Sequence, residues 1–403
     1  MKSYIALLLA IIISSCASET KINTLEKGTY RATLQIQDQK EIPFLFEVIN
    51  EKELHVFNAE ETIKVHEITY KNDSVKIQMP FFEGYLIAKV DGKKLNGQFV
   101  KSSLNRIVPF TAVESKHRFE KTSESKFNIS GNWETVFSPN SDEDRYIAKG
   151  IFEQKGNKVT GTFRTTTGDY RFLEGIINND QLELSTFDGA HAFFFTAKVT
   201  DSTMNGHFYS GNHWKEPFTA KLNNNYELPN AESLTYLKEG YDSFAFAFPD
   251  KNDAIVSLKD DRFKDKVTVV QIMGSWCPNC LDESKFYSEY YNKNKAKGIE
   301  FVSLAFEVAK TKEDAFELLN RLQEQTGITY PILLAQYGSS SKISAQEKLP
   351  MLNHVLSYPT TIFIDKKGKV RKIHTGFNGP ATGKLYTEFT ENFDSFLNEL
   401  VNE

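Results

Sequence analysis

The sequence predicts a multidomain protein, two N-terminal all-β units, each a small barrel or sandwich, followed by an α/β domain with a mixed sheet. Three observations predict it. Four short words recur in order, Gly28-Thr-Tyr30 with Gly131-Asn-Trp133, Ala88-Lys-Val90 with Ala197-Lys-Val199, Asn96-Gly97-Gln-Phe99 with Asn205-Gly206-His-Phe208, and Pro109-Phe-Thr-Ala112 with Pro217-Phe-Thr-Ala220, at offsets of 103 to 109 positions. Such spacing reads as a duplicated module. Period-two alternation in Tyr30–Ile36, Val75–Met79 and Leu182–Ser185 marks strands with one buried face. Beyond Phe244, short apolar runs alternate instead with helical patterns, as they do when strands carry helices on their faces.

With 403 residues the chain has room for several cores, and its net charge of -5 leaves no basic surplus for a nucleic-acid partner. The 32 Phe and 17 Tyr suit strands that bury one side. At the start, Lys2 is followed by an apolar run, Ile5 to Ile13, too short to span a bilayer, and then by Ile13-Ser14-Ser15-Cys16. This resembles a bacterial lipoprotein signal. The resemblance implies a signal peptide over 1–15, a lipid on Cys16, a tether over 16–26, and domains held at the cell envelope outside the cytoplasm, on the periplasmic side. An ordinary signal peptide with an incidental cysteine is the alternative, and both readings export the chain.

Within the β half, 27–113 and 128–225 form the two units and the charged, Ser-rich 114–127 joins them. Turn chemistry recurs at Asn72-Asp73, Asp91-Gly92, Lys155-Gly156-Asn157, Thr167-Gly168-Asp169 and Asn178-Asn179-Asp180. Phe193-Phe194-Phe195 breaks the alternation, which predicts a strand buried on both sides or one facing a barrel lumen. His207 and His213, near Trp214, read as polar strand-end residues. No catalytic set is legible in this half.

After a linker over 226–240, the last unit covers 241–403. Phe244–Pro249 and Ala254–Leu258 read as short strands, Val267–Met273 and Ile299–Ala305 as buried ones, and Pro331–Leu334 as a further one. A helix is predicted from the second cysteine to about Lys297, closed by Gly298, and another after the capping Thr311. An insert over Ala335–Leu356 carries Gly338-Ser-Ser-Ser341 and a predicted helix, Ile343–Val355. Thr360–Ile364 and Val370–Ile373 flank a hairpin turn, and Leu385–Val401 closes the chain as an amphipathic helix.

The chemistry gathers where the Val267–Met273 run ends, at Trp276-Cys277-Pro278-Asn279-Cys280. Pro278 suits a first helical turn, so the pair sits at a strand-to-helix handover. There the unpaired N–H groups and the positive end of the helix dipole favour a Cys277 thiolate, the species that attacks disulfides, with Cys280 one turn on to close a ring. Half of a zinc site has the same spacing, but zinc normally takes four ligands, and only the lone His354 and His374 are on offer. A structural disulfide is the third reading.

Together with Glu283, three residues after the second cysteine, and with Tyr358-Pro359-Thr360-Thr361, this motif resembles the TlpA/ResA-like family of membrane-anchored thiol-disulfide oxidoreductases. The likeness covers Leu228–Glu403. It implies a thioredoxin fold that works by a redox-active Cys277–Cys280 disulfide without cofactor or metal. It further implies a cis Pro359 against the dithiol and a Glu283 carboxylate that exchanges the proton of the resolving thiol. Trp276, Pro278, Asn279, Tyr358, Thr360 and Glu307 would border the substrate groove. The implied partners are disulfide-bearing envelope proteins and a membrane electron donor. Two rival readings remain. A peroxiredoxin is disfavoured because Gly274 and Val270 stand where its activating Thr and Pro belong. In the other, the β units capture an envelope ligand and the last domain only holds them at the membrane.

Overall fold

The computed structural model describes residues 23–403. The signal peptide, Cys16 and most of the tether lie outside the described residues. Among these, no helix is long and apolar enough to cross a membrane.

The β half forms two different sheets. From Gly28 to Glu114 nine antiparallel strands make one open sheet, in which Gly28–Gln35 pairs with both Glu41–Asn50 and Arg106–Glu114. Its edges are Glu61–Val65 and Glu67–Lys71, consecutive in sequence yet unpaired. Only His66 separates them, and a chain cannot reverse into a hairpin through one residue. The sheet therefore curls into a barrel-like form whose two edges meet at His66 without the ladder that would close it. The second unit does close, as eight strands from Gly131–Phe137 to Trp214–Leu222, with Thr135 opposite Ala220 at the seam.

Equivalent words take equivalent places in the two sheets. Ala88 lies opposite Gly97 and Ala197 opposite Gly206, and in both pairs a Cβ on the glycine would strike the neighbouring strand's backbone. The three phenylalanines resolve by alternation within one strand. Phe193 and Phe195 fill the barrel with Phe137 and Phe163, whereas Phe194 points outward into the core of the first sheet. The joining segment is no loose tether. Its Arg118 is buried and donates to the carbonyls of Phe57 and Ser185, pinning one sheet to the other.

The last unit is a five-stranded mixed sheet flanked by helices, the architecture that the family resemblance implies. In it Ile332–Gln336, Ile299–Phe306 and Val267–Met273 run parallel, while Thr360–Ile364 and Val370–Thr375 add antiparallel strands. Every residue of Val267–Met273 is buried, as a central strand covered on both faces requires. Helix α1 is Pro278–Asn294, α2 is Lys312–Thr326, α3 is Lys342–Lys348 and α4 is Lys384–Asn402. Thr311 caps α2 by accepting from the Asp314 N–H, and Gly298 follows α1 in the left-handed conformation. Helix α3 stops well short of the predicted Val355. Pro350 disfavours a helical Leu349, which sits at φ -127° and ψ 62°. Leu237, in the segment entering this domain, bridges to Leu352 in the insert.

Candidate active site

The central strand delivers Cys277 to the N-cap of α1, with φ -99° and ψ 113°, and its Sγ accepts from the Cys280 N–H at 3.1 Å. Pro278 begins the helix, where its missing N–H costs nothing. Cys277 and Cys280 are joined as a disulfide with their Cα atoms 5.2 Å apart, and both are buried. The Tyr358–Pro359 bond is cis, and the Tyr358 carbonyl oxygen lies 3.3 Å from the Cys277 sulfur. Trp276 donates its indole N–H to the Phe306 carbonyl at 2.9 Å and sets its ring edge-on to Tyr358. Gly274 leaves the space that this indole fills.

Two buried carboxylates flank the turn. Glu283, on α1, accepts from Gln271 Nε2 at 2.9 Å and from the Thr361 hydroxyl at 2.9 Å, with the Tyr287 hydroxyl at 3.1 Å. Burial pushes its carboxyl up to about 7 against the pull of those hydrogen bonds. Glu307 accepts from the Ser275 N–H at 2.7 Å and its hydroxyl at 2.6 Å, and burial raises it to about 7 as well. Each can thus gain or lose a proton near neutral pH without leaving its site.

In front of the dithiol lies a cleft of about 440 Å³ lined by Trp276, Cys277, Pro278, Asn279 and Tyr358 on one side. Of the sequence-predicted groove residues, Thr360 and Glu307 do not line it. Both are fully buried, Thr360 donating to the Ser357 carbonyl and Glu307 held by Ser275 behind the turn. The opposite walls come from the β half, which the sequence left without a part in the site. His213, read as a strand-end residue, is among them. The barrel loop Thr167–Asp169 reaches the dithiol itself, since Asn279 donates to the Asp169 carbonyl at 3.2 Å and Ser357 to that of Thr167 at 2.9 Å.

Sequence reasoning missed the partners of the carboxylates. Gln271 carried a signal, as the one amide in an apolar strand buried on both faces must find partners. Neither His354 nor His374 joins the cysteines. His354 hydrogen-bonds the Leu234 carbonyl, and His374 packs against Phe389. Among the described residues no group of three or more metal-ligating side chains forms.

A family model described as Redoxin matches residues 229–387. The chain is 31% identical over 114 residues to the thiol-disulfide oxidoreductase ResA of Geobacillus thermodenitrificans, covering 28% of this chain and 57% of that one. To the ResA of Bacillus subtilis it is 26% identical over 140 residues, 35% of this chain and 69% of that one. The chain thus spans under two thirds of the first relative's length. Among solved structures, a thiol:disulfide interchange protein of the thioredoxin family from Chlorobium tepidum aligns at 16% identity with TM-score 0.30, over 41% of this chain and 98% of that one.

Proposed function

We propose, from a redoxin domain of the thioredoxin fold as premise, that the protein is a thiol-disulfide oxidoreductase that reduces disulfides of cell-envelope proteins. The observation that carries this reading is the Cys277–Cys280 disulfide at the N-terminus of α1, one sulfur beside the Tyr358 carbonyl and a protonatable Glu283 on the same helix. Reduced Cys277 attacks a partner disulfide, releases one partner thiolate and holds the other as a mixed disulfide. Cys280 then attacks Cys277, which frees the second thiolate and leaves the protein oxidised. Glu283 takes the Cys280 proton as that thiol becomes a nucleophile.

The 31% identity to a thiol-disulfide oxidoreductase over the matched segment supports this reading. Export and a lipid on Cys16 are proposed from the leader alone, and they call for a membrane donor to re-reduce the dithiol, since cytosolic reductants do not reach it. The test is reduction of insulin disulfides by the full chain, which is expected to disappear in Cys277→Ser. Cys16→Ser should move the protein from the membrane to the soluble fraction.

A further inference from the structure

We propose that the cleft between the β units and the dithiol binds an extended, acidic polypeptide segment and presents that segment's disulfide to Cys277. Lys101 and Arg106 read its carboxylates. This rests on the oxidoreductase reading above and names the substrate class for it.

The cleft has three walls. The redoxin domain contributes the dithiol turn, the open sheet contributes Phe81, Phe82, Phe99, Lys101 and Arg106, and the barrel contributes Ala190 and His213. Its chemistry is lopsided. Among the described residues neither Lys101 nor Arg106 has a carboxylate within ion-pair distance, and Lys101 spends one N–H on the Ala190 carbonyl at 3.0 Å. Burial and these two cations push the His213 imidazole down to about 4, so it is neutral near pH 7. Burial, and then the neighbouring Arg106, holds the Lys101 ammonium below its ordinary range against the weaker pull of Glu83 and Asp188, and an incoming anion would relieve what remains. Glu83 is the single carboxylate on the walls, and both its oxygens already accept from Ser103.

An occupant must satisfy the apolar floor and the cations together. A small inorganic anion answers only the second. A folded domain does not enter a space of about 440 Å³, which suits a few residues of chain. An extended segment with acidic side chains beside its cystine does both, and it brings its disulfide to Cys277, the one sulfur that lines the cleft among the described residues. The reaction moves two electrons from the reduced dithiol to the peptide disulfide. Its two thiolates take the protons that the protein thiols give up.

Three synthetic peptides sharing one apolar sequence around an intramolecular disulfide, flanked by Glu, Gln or Lys, test this in single turnover with pre-reduced full-length protein. The Glu peptide is expected to react about tenfold faster than the Lys peptide, with Gln between, as befits one partly desolvated charge pair. High salt should shrink that ratio, and Lys101→Gln/Arg106→Gln should bring it close to one. If the double variant does not fold, Arg106→Gln alone serves, with a smaller expected drop. A ratio near one or inverted in the unsubstituted protein overturns the proposal, and so does a ratio that survives both substitution and salt. Failure to reduce any of the three peptides removes the oxidoreductase reading itself, and this inference with it.

Discussion

Arg171, buried on the eight-stranded barrel, donates its guanidinium to Asp282, the second residue after Cys280 on α1. The same side chain reaches Glu61 of the open sheet at 2.5 Å and Asp188 of the barrel at 3.5 Å, so one cation ties all three units together beside the dithiol. Removing it leaves Glu61 and Asp282 without their paired cation in a buried site, and Asp188 with His191 alone. Arg171→Ala is therefore expected to cost about 3–5 kcal/mol of unfolding free energy, read by urea denaturation. A loss below about 1 kcal/mol would mean that the network holds nothing together.

Glu283 sets a pH dependence whose sign can be worked out. Its carboxyl titrates at about 7 in the folded chain against an ordinary 4.5. Between those values the folded state keeps a proton that the unfolded state has lost, so this group's contribution to stability falls as pH rises from 4.5 to 7. Above pH 7 the penalty levels off at roughly 3 kcal/mol. Glu283→Gln keeps an oxygen acceptor for Tyr287 and Thr361 and removes the charge. The variant is expected to be more stable than the parent at pH 8, with little difference at pH 4.5. Equal gains at both pH values would contradict the buried-carboxyl account.

Kinetics should separate the same residue's role from its cost. If Glu283 accepts the Cys280 proton, Glu283→Gln slows resolution of a preformed mixed disulfide by about 10²-fold and erases its rise near pH 7. Attack by Cys277 on a small disulfide, followed separately, should change far less. A uniform slowing of both steps would point instead to a displaced helix.

The two-step order predicts what each single-cysteine variant does. Cys280→Ser retains the sulfur at the N-cap and loses the resolving one, so it should accumulate a mixed disulfide with its substrate on a non-reducing gel. Cys277→Ser should accumulate none, because the remaining sulfur is fully buried on the helix. Trapping through Cys280 in place of Cys277 would reverse the assignment.

How much of this was legible in the sequence follows from how local each feature is. The dithiol turn, the strand that carries it and the caps at Thr311 and Gly298 are set by neighbours in the chain, and each is found where the residues place it. Alternation likewise gave the strands of the β half. It could not say that the first sheet stops short of full closure, since that depends on a single residue between two strands, nor that α3 ends at Lys348, ahead of Pro350. The cleft was the least legible feature. Lys101, Arg106 and His213 lie far from the cysteines in sequence, and no spacing rule joins a barrel loop to a helix more than a hundred residues away. The interlock of Thr167, Gly168 and Asp169 with Asn279 and Ser357 belongs to the same class of packing between units.

That interlock makes the last prediction. Gly168, at φ +150°, lies so close to Asn279 that a Cβ would overlap the side-chain amide between the two cysteines, and it would also meet the Phe377 carbonyl oxygen at 3.3 Å. The loop cannot yield freely, because Asp169 accepts from the Gly379 N–H at 2.6 Å and Thr167 from Ser357. Gly168→Ala should therefore lift the barrel loop off the dithiol, at a cost of about 1–3 kcal/mol. It should also speed alkylation of reduced Cys277 by a bulky maleimide. Gly156 supplies the control, a barrel glycine at φ +63° whose Cβ would meet nothing within 4 Å. Gly156→Ala carries the backbone strain alone, at about 1 kcal/mol, and should leave the alkylation rate unchanged. If the two variants alkylate alike, the loop does not guard the dithiol, and the contact at Asn279 is packing without consequence for access.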